Sequence, residues 1–319
     1  MTTLDNKVHT APKPEKSLIT KLNMGTGIIG GIIASQAMYW LAKSWFDAEE
    51  AMQENKILTL SLFAWAIGFL VGIGAFIGPF RWLIGRDLTP EEQLYMAGEG
   101  QGIARYFKYC TDHKVVGIQY LVGVMTMLGA GGTMAMMIRT NLIKPGSAFV
   151  TPEIYNSLVG LHGITMIIAL IVVATGPFGN YIMPIMIGAR DMAFPRLNAL
   201  SWWLLFTAIV SLCSAWFFGG IPTGWTAYAP LSVQAGPGMN SFIVAIILFA
   251  ISSAIAGANI TATVVAMRAK GMTLTRIPIF VIGSTISVAL AIPAFPTFMA
   301  SQIMAAFDRT IGTGFYDAN

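Results

Sequence analysis

Seven long apolar stretches separated by short polar connections constrain this chain more than any single motif does. They fall at about 25–43, 57–80, 115–138, 157–187, 199–219, 240–267 and 275–305. Most are at or near the ~20 residues a helix needs to cross hydrocarbon. Barrel strands would be shorter and would alternate apolar with polar positions. Only 11% of the 319 residues are charged, 55% are apolar, and the mean hydropathy is +0.67. A soluble chain carries about a quarter charged residues. The expected fold is therefore all-α, a polytopic membrane helical bundle of about seven transmembrane helices. The bilayer is the first partner the sequence implies.

The punctuation agrees with this division. Pro145, Pro152, Pro195, Pro222, Pro230 and Pro237 lie in the connections, where helix breakers belong. Pro177 and Pro184 fall inside the fourth stretch, so neighbouring helices must cover the backbone groups they free. The run at 25–42 follows a polar leader with Lys7, Lys13, Lys16 and Lys21 but has no convincing small-residue cleavage site. It reads as a retained helix. The two cysteines, Cys110 and Cys213, show neither metal nor disulfide spacing.

Charge placement suggests an orientation. With the N-terminus cytoplasmic, fourteen of the 19 Lys and Arg fall on the inside, among them Arg81, Arg86, Arg105, Lys108, Lys114, Arg190, Arg196, Arg268, Lys270 and Arg276. Five fall outside: Lys43, Lys56, Arg139, Lys144 and Arg309. The positive-inside rule then favours an inside N-terminus and an outside C-terminus. The net charge of +4 follows membrane topology and calls for no nucleic acid; no P-loop, GxGxxG or CxxC pattern is present.

Against this apolar background the polar residues stand out. His162 is the only histidine inside a hydrophobic stretch, in Tyr155-Asn156-Ser157-Leu158-Val159-Gly160-Leu161-His162-Gly163. A neutral imidazole in a membrane helix suits axial ligation of heme iron. At the other end of the same stretch lie Asn180 and then Gly188-Ala189-Arg190-Asp191-Met192-Ala193-Phe194-Pro195-Arg196-Leu197-Asn198. A carboxylate beside carboxamides at a membrane surface is a means of passing protons; a plain cap for the next helix is the alternative for Asp191. The Met134, Met136 and Met137 cluster reads as packing. The acidic group Asp47, Glu49, Glu50 and Glu54 reads as a solvated loop or as a lure for a basic protein.

From Asp112-His113-Lys114 to the C-terminus the chain resembles the N-terminal part of subunit I of the heme-copper oxidases. The likeness runs through Met137-Ile138-Arg139, Ile154-Tyr155-Asn156, the His162 segment, the loop around Asp191, Thr223-Gly224-Trp225-Thr226-Ala227-Tyr228, Ser252-Ser253 to Asn259, and Asp308-Arg309. It implies that His162 is one axial ligand of the low-spin heme, that Arg139 bonds a polar substituent of that heme, and that Tyr155 and Trp225 stand near the hemes. An interfacial aromatic is the alternative for Trp225. It also implies that Asp191 opens the family's D-type proton pathway, with Asn180, Asn198, Tyr120, Ser201, Ser252, Ser253 and Asn259 lining it. For each serine, helix–helix hydrogen bonding is an equal alternative. His113 reads as structural.

The departures matter as much. Subunit I of the family has about twelve core helices, and the resemblance here covers the first five. No intramembrane histidine follows His162, so the copper B ligands, the high-spin heme ligand and the second low-spin ligand are missing. The expectation is a split subunit I. Its C-terminal half, on another chain, would complete the low-spin heme and supply most of the high-spin heme and copper B site. This chain alone would not reduce oxygen. Expected partners are an oxidase subunit II with a copper centre, subunit III-like chains, and cytochrome c or another soluble metalloprotein as donor. Ala130, Met134, Ile154 and Ser157 stand where quinol-oxidising relatives carry polar quinol contacts. Asn141 stands where the family's outer cation site often has a glutamate. The implied divisions are a cytoplasmic segment at 1–24, two additional helices at 25–86, and the oxidase-like part at 112–319. The implied location is a bacterial or archaeal plasma membrane, or a mitochondrial inner membrane. A heme-free transport or assembly subunit built on the same helices is the alternative.

Overall fold

A computed structural model describes residues 17–46, 50–146 and 149–316. Lys7, Lys13, Lys16, Asp47, Glu49 and the final 317–319 lie outside these residues, as do the side chains of Glu50, Ala51, Met52 and Trp82. Among the described residues the chain is all-helical. Its helices are α1 (Met24–Trp45), α2 (Glu50–Ile73), α3 (Ile77–Leu83), α4 (Pro90–Met96), α5 (His113–Asn141), α6 (Pro152–Val173), α7 (Gly179–Tyr181), α8 (Met183–Ile187), α9 (Pro195–Ser214), α10 (Leu231–Gln234), α11 (Gly238–Ala266) and α12 (Ile279–Ile311). A π-helical turn, Ala174–Phe178, joins α6 to α7 at Pro177.

Six helical spans are long and apolar enough to cross a membrane: Gln53–Ile73, His113–Asn141, Pro152–Tyr181, Pro195–Phe218, Gly238–Ala266 and Ile279–Ile311. The chain is a multi-pass membrane protein. The expected first span, α1, has the length, 22 residues, but glycines, Ser35 and Gln36 dilute its apolarity. The stretch expected at 57–80 is not one helix. It stops at Ile73, because Gly74 adopts φ +91, a left-handed conformation that ends the helix and turns the chain into α3.

The α1–α2 hairpin is held by glycine. A Cβ on Gly30 would stand 2.6 Å from the Gly68 carbonyl oxygen, and one on Gly68 would stand 2.5 Å from that of Gly30. Only hydrogen at both positions lets the two backbones approach this closely. Helix α2 then packs on α9, α11 and α12. Phe69 stacks against Phe206 at 5.2 Å and meets Trp203 at 5.7 Å.

Helix α11 is the centre of the bundle, flanked by α9 and α12. Two-thirds of its apolar window, 67%, is buried, against 17% for α5 and for α12. Those two helices therefore present wide uncovered faces. Arg309, in the last turn of α12, is buried and has no carboxylate within ion-pair reach among the described residues. Its Nε donates to Asn240 Oδ1 at 2.6 Å, its Nη1 to the Val233 and Ala235 carbonyls at 2.6 Å, and its Nη2 to Asn55 Oδ1 at 3.2 Å and the Gly236 carbonyl at 2.9 Å. Asn55 also accepts from Asn240 Nδ2 at 2.7 Å. A buried guanidinium is tolerable because every face finds an acceptor. One of those acceptors comes from α2, so the leading hairpin is tied to α11 and α12.

Between α3 and α5 lies a folded segment that apolar periodicity does not reveal. Thr89 and Glu92 form a capping box on α4. The Glu92 carboxylate pairs with Arg81 and accepts from Ser17 Oγ at 2.5 Å. Burial pushes its pKa up, but the bonds from Arg81, Ser17 and Thr89 outweigh that and hold it down to about 2. A carboxyl depressed below its usual 4.5 stabilises above that value and loses its contribution as pH falls toward 2. Limited proteolysis of the detergent-solubilised protein should find 84–111 protected from neutral pH down to about 4.5; Glu92→Gln should open it already at neutral pH. For the hairpin, Gly30→Ala should cost about 1–3 kcal/mol by overpacking. Thermal unfolding should show the loss, while Gly129→Ala, where a Cβ meets nothing within 4 Å, should leave the transition in place.

Candidate functional site

The residues singled out by sequence collect at the two ends of the bundle. At the Trp225 end, His162 sits midway along α6, half-buried. Its Nδ1 lies 2.9 Å from the Gly131 carbonyl oxygen on α5. A carbonyl only accepts, so Nδ1 carries a proton, and of the two neutral tautomers the bond selects the one whose lone pair is on Nε2. This is the arrangement of a metal-binding histidine whose other nitrogen is oriented by backbone. Tyr155, Val159, His162, Met166 and Leu170 follow one another at spacings of three or four, along one helical face. None of them is buried, and Leu170 is 71% exposed. The opposite face, with Leu158, Leu161, Ile164, Thr165 and Ile168, is buried. On α5, a Cβ at Gly129 or Gly132 would meet open space. The imidazole therefore stands at the edge of an uncovered apolar surface.

The connection after α9 closes over one side of it. A Cβ on Gly160 would lie 2.5 Å from the Ile221 carbonyl oxygen, and one on Gly163 would lie 2.6 Å from Trp225 Cβ. These glycines, three apart on α6, let the 219–228 loop press against the helix and bring Trp225 next to His162. Tyr155 lies two turns before His162. Arg139 lies two turns beyond Gly131, exposed in the last turn of α5. At 1.5 Å rise per residue, the antiparallel pairing of α5 and α6 sets Arg139 and Tyr155 at about one level.

At the Asp191 end, a polar series enters the bundle. Asp191 Oδ1 accepts from the Met192 N–H at 2.7 Å. It does not cap α9, whose N-cap position is Phe194. The carboxyl lines an open pocket of about 450 Å³. Burial, opposed by the Met192 N–H and by His113, and reinforced by Asp112, raises its pKa above the usual 3.8. Behind it, Asn180 and Asn198 are each 1% exposed. Asn180 Nδ2 donates to the Gly176 carbonyl at 2.6 Å, but Asn180 Oδ1 and both side-chain polar atoms of Asn198 have no protein partner. Buried amides without partners are where ordered water belongs.

The series continues inward. Ser201 Oγ donates to the Asn198 carbonyl at 2.7 Å and accepts from Tyr120 Oη at 2.9 Å. Ser252 Oγ donates to the Ser201 carbonyl at 2.6 Å. Tyr120, Ser252 and Ser253 then face a cavity of about 80 Å³ together with Thr175 and Ser287. That volume holds several waters by the 10–15 Å³ measure for one. Asn259 is occupied differently: its Oδ1 accepts from the Phe194 N–H at 2.9 Å and its Nδ2 donates to the Phe194 carbonyl at 3.2 Å. Thr263 Oγ1, one turn on, accepts from the Ala193 N–H at 2.9 Å. Together they hold the loop that carries Asp191.

Sequence reasoning missed Thr263, although it stands one helical turn after Asn259. It also missed Thr175 and Ser287, for which a lone hydroxyl in an apolar helix gives no signal. His113 is structural as expected: it is buried, and its Nδ1–H donates to the Asn180 carbonyl at 2.7 Å. Cys110 is buried, which pushes its thiol pKa up to about 11, whereas Cys213 is exposed. No group of three or more His, Cys, Asp or Glu that could hold a metal occurs among the described residues.

An infrared titration should find the protonated carboxyl band of Asp191 disappearing with a midpoint above 3.8, and Asp191→Asn should abolish that band. A midpoint at or below the ordinary value would contradict the burial described above.

Comparison with known proteins places this geometry. Residues 115–318 match the family "Cytochrome C and Quinol oxidase polypeptide I". The chain is 40% identical over 213 residues to cytochrome c oxidase subunit 1 of Synechocystis sp., covering 66% of this chain and 39% of that protein. It is 42% identical over 213 residues to the same subunit of Thermostichus vulcanus, with the same coverage. It is 35% identical over 208 residues to a probable quinol oxidase subunit 1 of Staphylococcus haemolyticus, covering 64% of this chain and 31% of that protein. The chain thus spans about two-fifths or less of the length of these relatives. With its family match over the helices that carry both polar groups, this chain belongs to the subunit I family of the cytochrome c and quinol oxidases, a heme-copper family.

Proposed function

We propose that this chain is the N-terminal portion of a split terminal-oxidase subunit I. In this reading it binds one side of the low-spin heme and carries the first part of a D-type proton pathway. The observation that carries the reading is the Nδ1–H of His162 donating to the Gly131 carbonyl, which leaves Nε2 available beside an uncovered apolar face. A heme held there supplies one-electron transfer. Trp225 would close one edge of that site, Tyr155 would stand farther along the same face, and Arg139 would offer a charged donor to a polar heme substituent.

One imidazole fills one coordination position. The rest of the low-spin heme's ligation, the high-spin heme and copper B would call for further histidines, supplied by the C-terminal half of subunit I on another chain. The wide uncovered face of α5 is where such helices would pack. A subunit II with a copper centre, subunit III-like chains and cytochrome c complete the proposed assembly. The apolar identities of Ala130, Met134 and Ile154 and the burial of Ser157 favour a soluble donor over a quinol bound there.

Protons would enter at Asp191, pass the water sites implied by Asn180 and Asn198, and follow Ser201, Tyr120, Ser252 and Ser253 to the interior cavity. Asn259 would act by holding the Asp191 loop in place. The basic-residue bias supports this end, and the N-terminus, facing the cytoplasm, with the C-terminus outside. Electrons would arrive from the outer side, oxygen would become water, and uptake from the inside would couple the reaction to proton pumping.

In the purified complex, His162→Ala should remove the low-spin heme band from the reduced-minus-oxidised spectrum; an unchanged band would favour a heme-free subunit instead. Asp191→Asn should slow oxygen consumption at least about tenfold while leaving that spectrum intact. Sequencing the co-purifying chains should reveal one rich in intramembrane histidines.

A further inference from the structure

One wall of the Asp191 pocket comes from a part of the chain outside the family match. The match begins at residue 115. Leu88, Gln93, Met96 and Thr111 line the pocket opposite Ala193 to Leu197. The wall is fixed in place. Tyr109 Oη donates to the Arg196 carbonyl at 2.5 Å, tying the segment to the first turn of α9, just after the loop that carries Asp191. The Thr111 N–H donates to the Met96 carbonyl at 2.8 Å. Gln119 on α5 donates from Nε2 to the Tyr106 carbonyl at 2.9 Å. The Arg81–Glu92 pair pins α4 from behind. Gln93 is exposed, yet its Nε2 donates to the Leu88 carbonyl at 3.0 Å, which keeps the carboxamide at the rim.

We propose that the 84–111 segment is a built-in vestibule through which water and protons reach Asp191, with Gln93 at its exposed rim and Thr111 in its wall. The proposal rests on Asp191 being the proton inlet. A concave, water-filled passage with apolar walls concentrates the field of any charge at its mouth. Leu88 and Met96 supply such walls, and the charged residues of the lining are one carboxyl, Asp191, and one guanidinium, Arg196. The rim is therefore a place where one fixed charge changes the proton supply, whereas the same charge elsewhere on the segment does not.

The test uses the intact complex carrying Cys213→Ala, since Cys213 is exposed and Cys110 is buried. Gln93→Cys is labelled with a methanethiosulfonate bearing either trimethylammonium or sulfonate, and Ile103→Cys, exposed and away from the pocket, is labelled in parallel. At low ionic strength the cationic label at 93 should slow proton-limited oxygen consumption at least about twofold relative to the anionic one. Salt near 1 M should erase the difference, and neither label at 103 should act. Should Gln93→Cys fail to assemble, Thr111→Cys in the wall of the same pocket serves the same comparison. Equal rates with both labels, in a complex that Asp191→Asn does slow, would overturn the vestibule. If Asp191→Asn leaves turnover unchanged, the inlet itself is wrong and the vestibule falls with it.

Discussion

A carbonyl oxygen that can only accept a hydrogen bond orients the one histidine inside an apolar stretch. Gly131 of α5 presents that oxygen to His162, and the bond fixes both the tautomer and the rotation of the ring. The rest of the Trp225 end is arranged around it. Gly160 and Gly163 let the 219–228 loop settle against α6, which sets Trp225 beside the imidazole, while α5 and the His162 face of α6 are left without cover. An apolar face of this kind on a membrane helix can meet lipid without cost. What singles it out is the imidazole at its edge, with a free nitrogen.

The Asp191 end follows a different logic. Its polar atoms are not fully satisfied by protein, and the unsatisfied ones, on Asn180 and Asn198, lie between a surface carboxyl and an interior cavity. Helix–helix hydrogen bonding accounts for Ser252 and Ser201 taken singly. It does not account for two buried carboxamides left open in succession. Asn259 and Thr263, in contrast, are saturated by the backbone of residues 193 and 194. Rigid tethering and open polar groups thus sit side by side, the first in the loop at 193–194 and the second on α7 and α9 to either side of it.

The sequence foretells the spans because membrane insertion leaves so few solutions: length and apolarity nearly determine where each helix lies. Both ends of the candidate site were legible because a histidine, an aspartate and two asparagines are conspicuous in apolar surroundings, and because the family's motifs occur in order. Three things were not. The break at Gly74 is invisible to hydropathy, since Ala75, Phe76 and Ile77 continue the apolar run after it. The 84–111 segment is built from caps, short turns and one ion pair, none of which has a period. Asn55 lies just before the apolar stretch at 57–80, and its role depends on Arg309, 254 residues away, a separation no local pattern reports.

That distant pairing bears on how the chain is made. A guanidinium entering the bilayer without acceptors is costly, and Arg309 belongs to the last helix described here. The Asn240 side chain and the 232–236 carbonyls precede α12 in the chain, as Asn55 does, so every acceptor of the guanidinium is synthesised before it, and the leading hairpin adds one amide to that cradle.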